Sequence, residues 1–155
     1  MTEVWFYHLQ RRSVEAVLPG LVERSLARGW TAVVQAADAA AIARIDAALW
    51  SASPTSFIPH GGPDDGDAAQ QPVYLTTGEE RPNGAAVRFL LDRAQAASVL
   101  AQHAAPPYER LILLFDGNDA DALADARAQW KTLKDAGHAL AYWRQDDTGR
   151  WEKKA

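Results

Sequence analysis

Apolar residues recur along this chain in two rhythms. Short runs rich in branched and aromatic side chains occupy 3–9 (EVWFYHL), 31–35 (TAVVQ), 72–77 (PVYLTT), 110–116 (RLILLFD) and 138–144 (HALAYWR), and each predicts a strand. Other stretches carry the helical spacing. Over 13–28, Val14, Val17, Leu18, Leu21, Val22 and Leu26 share one face behind Ser13, whose hydroxyl suits an N-cap. Pro19 lies inside this pattern and argues against one unbroken helix, because it lacks the N–H that a helix interior uses. Gly29 is a natural stop. Asp38 then caps a helix to about Trp50, with Ile42, Ile45 and Leu49 on one face.

The order strand, helix, strand, helix over the first fifty residues predicts an α/β fold with a parallel sheet. The middle is looser. Residues 51–72 carry many turn formers and little periodicity. Residues 85–91 read as a strand or as the start of a helix, and the Ala-rich stretch 93–104 reads as helical. The unbroken apolar run at 110–116 fits a central parallel strand. An Ala-rich helix follows from Asp119 to about Ala136, stopped by Gly137, and TGRWEKK holds a turn and a last short strand. One domain over 1–155 is expected.

Composition narrows the class. Hydrophobic residues make up 48% and charged residues 23%, the balance of a globular chain rather than a disordered one. With no cysteine, disulfides, thiolate metal sites and a Cys nucleophile are excluded. The start MTEVWFYHLQ lacks a basic region followed by a long apolar run, and no stretch approaches the roughly 18 apolar residues of a membrane span. A cytoplasmic protein without a membrane partner is expected. The net charge of −4 opposes a protein that grips nucleic acid over its whole surface, so any direct contact has to come from a local patch.

A parallel α/β sheet invites a nucleotide, but the segment after the first strand, QRRSVEAVLPG, has no glycine pattern that would let backbone N–H groups approach phosphate. The Gly-rich segment 61–67 (GGPDDGD) lacks a lysine and carries three carboxylates. His8, His60, His103 and His138 form no helical pair at ligand spacing; His8 and His138 read as strand or strand-edge residues and His103 as exposed. No G-x-S-x-G elbow occurs. No cofactor is therefore expected. The rival reading, a small enzyme or a nucleotide- or metal-binding protein, rests on Asp116 at the end of an apolar strand and on the 61–67 loop.

Two constellations remain. Leu49-Trp50 is followed by Ser56-Phe57-Ile58-Pro59-His60, an apolar cluster that is either core or a docking cleft; burial energetics favour core. In the helix from Asp119, Ala122, Leu123, Ala126, Trp130 and Leu133 form a stripe with Arg127, Lys131 and Lys134 at its edge. That is either a helix with charges matched to its dipole or a basic groove beside an indole, suited to an acidic peptide with an aromatic end.

Ile45-Asp46-Ala47-Ala48-Leu49-Trp50, then Phe57-Ile58-Pro59-His60, together with the first strand Val4-Trp5-Phe6-Tyr7 and the late Arg127, Trp130, Lys131, Ala136 and Gly137, resembles the chi subunit of bacterial DNA polymerase III. The resemblance covers the chain in order. It implies a three-layer α/β/α, Rossmann-like, mostly parallel sheet without a nucleotide-binding loop. It implies a non-catalytic adaptor of a nucleotidyltransferase complex that meets DNA only indirectly. Two partners follow from it. The acidic C-terminal tail of single-stranded-DNA-binding protein would sit on Arg127, Trp130, Lys131 and Lys134. The psi subunit of the clamp loader would dock on Trp50, Phe57, Ile58 and Pro59. A family basic position one turn before Arg127 is Leu123 here.

Overall fold

The computed structural model describes residues 2–51 and 58–155. Seven strands form one sheet: β1 (Glu3–Leu9), β2 (Ala32–Gln35), β3 (Val73–Thr76), β4 (Val87–Leu90), β5 (Arg110–Asp116), β6 (Ala139–Gln145) and β7 (Trp151–Lys153). Their spatial order is β3-β2-β4-β5-β1-β6-β7. All neighbours run parallel except β6 and β7, which form an antiparallel pair. Parallel neighbours need crossovers, and helices α1 (Val14–Ala27), α2 (Ala39–Trp50), α3 (Ala96–Leu100) and α4 (Ala120–Asp135) lie between the strands.

Alternation along β1 assigns the two faces. Tyr7 and Leu9 join the core beneath α1 and α2 with Leu18, Val22, Ile45 and Leu49, while Val4 and Phe6 join the core beneath α3 and α4 with Val99, Leu113, Ala126 and Leu133. The chain is therefore a three-layer α/β/α fold with a mostly parallel sheet. The buried strands β2, β3 and β4 read as near-continuous apolar runs because both of their faces are covered.

Local chemistry sets the helix limits. The Ser13 side chain accepts from Ala16 N and the Asp38 side chain from Ala41 N, as the sequence predicts. Gly29 and Gly137 follow α1 and α4 with φ of 82° and 85°, a region that a β-carbon disfavours. Two expectations change. Pro19 does not break α1, which runs unbroken with the ring buried; the lost bond falls near the helix start and packing holds the turn. The helix expected at 93–104 shrinks to Ala96–Leu100, since Asp92, Arg93 and His103 take positive φ and turn the chain at both ends. The ambiguous 85–91 resolves as β4.

Candidate functional site

Helix α4 lies over the β1–β6 pair, and its burial differs from the predicted stripe. Ala126, Gln129 and Leu133 face inward, and Trp130 sits at the flank toward β6. Gln129 is buried because it closes a polar need: its Oε1 accepts from Ala96 N at 3.0 Å, and its Nε2 donates to Ala94 O and Asp125. The same carboxylate accepts from Gln95, which turns Asp125 toward α3 and away from Arg127.

Turned toward β6, the Trp130 ring meets Phe6 edge-on at 5.2 Å and Tyr142 at 5.7 Å. Tyr142 lies opposite Phe6 in the parallel register, and Arg144 lies opposite His8, so these four side chains share one face of the sheet. The Tyr142 hydroxyl is 2.6 Å from Nδ1 of His8. His8 is only 6% exposed, and its Nε2 has no partner among the described residues.

Electrostatics converge on this pair. Burial, then the positive charges of Arg144 and Arg127, hold the His8 imidazole below its ordinary value, with Asp116 opposing. Burial raises the Tyr142 phenol while the same two arginines pull it down. Arg127, Lys131 and Lys134 are exposed, and among the described residues no carboxylate lies within ion-pair distance of them. The arrangement is a basic face with an indole and a phenol in its wall, fit to take a carboxylate by charge-assisted hydrogen bonds.

Of the four residues predicted here, Arg127 and Trp130 stand beside Tyr142, while Lys131 and Lys134 follow on the next turns of the exposed side. The Trp130 indole packs against Phe6 and Tyr142, so it offers an edge to the basic face rather than the floor of a deep hollow. His8, Tyr142 and Arg144 were missed. Alternation in 138–144 puts Tyr142 and Arg144 on one face, but nothing in that run shows that the face lies beside β1.

The second predicted cluster divides. Trp50, the last residue of α2, is 58% exposed and meets the His60 ring at 5.3 Å. His60 holds the returning chain, with one ring nitrogen 2.7 Å from Asp46 and the other 2.7 Å from Ile58 O. Pro59 is half-buried. Ile58, expected in the docking contact, is 2% exposed and packs in the core under α1 and α2. Phe57 lies outside the described residues.

The groups of the rival reading are engaged in turns. Asp116 accepts from Asn118 N at 2.8 Å, and Asp65 accepts from Gly62 N at 2.7 Å within a single 3-10 turn. A cleft of about 320 Å³ at the strand ends sets Arg11, Arg12 and Arg44 among Glu15, Asp92 and Asp116, a mixture that does not favour phosphate. Among the described residues no three His, Asp or Glu side chains cluster to hold a metal, and no helix is long and apolar enough to cross a membrane.

The fold and site define an α/β domain with a mostly parallel sheet and a basic, aromatic-walled face. Residues 1–141 match the family model of the DNA polymerase III chi subunit, HolC, and the chain belongs to that family. It is also similar to a protein of Rickettsia prowazekii (strain Madrid E) called probable DNA polymerase III subunit chi. The two are 26% identical over 117 residues, which span 75% of this chain and 71% of that protein. The family gives the chain an accessory role in DNA replication, in association with the polymerase III assembly.

Proposed function

We propose that this chain is a non-catalytic adaptor that ties the clamp loader of DNA polymerase III to single-stranded-DNA-binding protein in the cytoplasm. The acidic C-terminal tail of that protein lies along α4 and β6. Arg127 and Arg144 take its carboxylates, Lys131 and Lys134 extend the positive field, and Trp130 with Tyr142 forms the wall for an apolar side chain. The observation that carries this reading is the convergence of Arg127 and Arg144 on the part-buried Tyr142–His8 pair, with no carboxylate paired to Arg127, Lys131 or Lys134 among the described residues. A bound carboxylate would gain charge-assisted hydrogen bonds there.

The psi subunit of the clamp loader docks at the end of α2 through Trp50, Phe57 and Pro59. An exposed indole is the type of side chain that anchors protein interfaces. The adaptor works by tethering: a modest affinity becomes effective because several tails surround one site.

The test is a titration with a tail peptide. Arg127→Ala should weaken binding about tenfold or more, Arg144→Ala should weaken it too, and raised salt should weaken the parent protein. An unchanged dissociation constant in both variants would remove the tail assignment.

A further inference from the structure

The face of the sheet opposite α4 is unevenly covered. Helices α1 and α2 pack over β1 to β5, and beyond them the β6 and β7 side of that face carries aromatic side chains. Trp143 stands opposite Tyr7, and Lys153 stands opposite Trp143, so β1, β6 and β7 contribute to one surface. Trp5 and Trp143 meet at 5.2 Å, Tyr7 and Trp143 stack at 6.2 Å, and Trp151 meets Tyr7 edge-on at 4.8 Å. Trp5, Trp30, Trp143 and Trp151 are all partly exposed.

Cations interleave with these rings. The Arg110 guanidinium lies 3.6 Å from the Trp5 ring centre and 5.2 Å from that of Trp30, and Arg28 lies 5.1 Å from the Trp30 ring centre. Arg24 acts electrostatically on Tyr7. Trp151 and Arg24 also border an open groove of about 920 Å³ along α1, where Arg12, Arg24 and Arg44 outnumber Glu15 and Glu23, and Arg44 pairs with Glu15. Glu3, the acid nearest Arg110, is engaged with it at 3.7 Å. The helix dipole accounts for Arg24 and Arg28 near the end of α1, but not for Arg110 or Lys153, which lie on strands.

Alternating cations and partly exposed indoles complement a polymer that alternates phosphates with flat bases. We infer that this face binds single-stranded DNA directly, with Trp151 as the stacking surface and Arg24, Arg28 and Lys153 on the phosphates. A duplex hides its base faces and gains only the phosphate contacts. This departs from the expectation that the chain meets DNA only through another protein. The surface lies on the opposite side of β1 and β6 from Arg127, so a tail and a strand can be held together.

The experiment is fluorescence anisotropy of a labelled oligothymidylate of roughly ten nucleotides at low salt, with the full chain. The oligomer should bind, added salt should weaken it, and a duplex of equal length should bind about tenfold more weakly. Trp151→Ala should weaken the single strand about tenfold. The surface pair Arg24→Ala/Arg28→Ala, which removes no packed ring, should weaken it comparably while circular dichroism stays unchanged. Arg127→Ala should leave it intact, which separates this face from the tail site. No binding by the parent chain, equal binding of the duplex, or loss of binding in Arg127→Ala would overturn the inference. Displacement of the oligomer by an equal concentration of oligoglutamate would instead assign the face to an acidic peptide.

Discussion

Gly117 packs against His8 so closely that a β-carbon at Gly117 would stand 1.9 Å from Nε2 of the imidazole. The turn after β5 thus closes over the buried end of β1, and the only side chain that fits there is hydrogen. Gly117→Ala should destabilise the fold by about 1–3 kcal/mol through overpacking, read by chemical denaturation. Most of that penalty should vanish in a His8→Ala background, because the two residues share one space. A penalty that persists in full would place the strain elsewhere in the turn.

The same imidazole makes stability depend on pH. Burial and the charges of Arg144 and Arg127 lower the His8 pKa in the folded state, with Asp116 opposing and Tyr142 bonded to Nδ1. The unfolded chain therefore takes up its proton first. Stability from this group is intact above about pH 6.5 and declines as pH falls from there through the folded value. Denaturation midpoints between pH 7.5 and 5.5, roughly, should show this loss, and a His8→Leu variant should show a flatter profile over that window. Equal slopes in the two proteins would refute it.

Arg88 is buried at 0% exposure, yet each nitrogen of its guanidinium donates a hydrogen bond. It donates to Gln35 Oε1 at 2.8 Å, Gly78 O at 2.6 Å, Glu80 O at 3.0 Å and the Tyr108 hydroxyl at 3.3 Å. It ties the 77–81 loop to β2, β4 and the chain before β5. Arg88→Met keeps the length but strands those acceptors, each worth about 1–3 kcal/mol when buried without a donor. A loss of at least about 3 kcal/mol is expected by urea denaturation, with faster proteolysis in the 77–81 loop. A smaller loss would mean that the loop carbonyls find water.

How much of this was legible in the sequence depends on the range of the interaction. Ser13, Asp38, Gly29 and Gly137 act on neighbours within a turn, so the limits of α1, α2 and α4 could be read directly. The apolar run of β5 shows its central place because both faces of that strand are covered. The pairing of β6 with β1 joins residues more than 130 positions apart, as in the Tyr142–His8 contact, and no local rhythm encodes it. For that reason Arg127, Trp130 and Lys131 were found from their own helix, while His8, Tyr142 and Arg144 were not. The aromatic face of Trp5, Trp143 and Trp151 was hidden in the same way. Each indole reads as an ordinary strand residue until the sheet order sets the three side by side. Alanine misled the reading of 93–104, where helix propensity yielded to the turns at Asp92, Arg93 and His103.

Trp50 separates a packing role from a docking role. Its ring ends α2 at 58% exposure, while its neighbour Leu49 is 1% exposed and packs in the core with Ile58. Its ring meets that of His60, whose own place is already held by Asp46 and Ile58 O. Removing the indole leaves those hydrogen bonds in place, and more than half of the residue already faces solvent. Trp50→Ala should therefore cost less unfolding free energy than the roughly 3–5 kcal/mol lost when a buried aromatic ring is removed. If the end of α2 docks the clamp loader, the same variant should weaken co-purification with clamp-loader subunits by tenfold or more, roughly the effect of removing an interface anchor. Tail-peptide binding on the far side of the sheet should not change. Ile58→Ala should behave in the opposite way, costing about 2–5 kcal/mol of stability as a buried aliphatic side chain. Equal effects of the two substitutions on stability and on association would show that this corner is only part of the core.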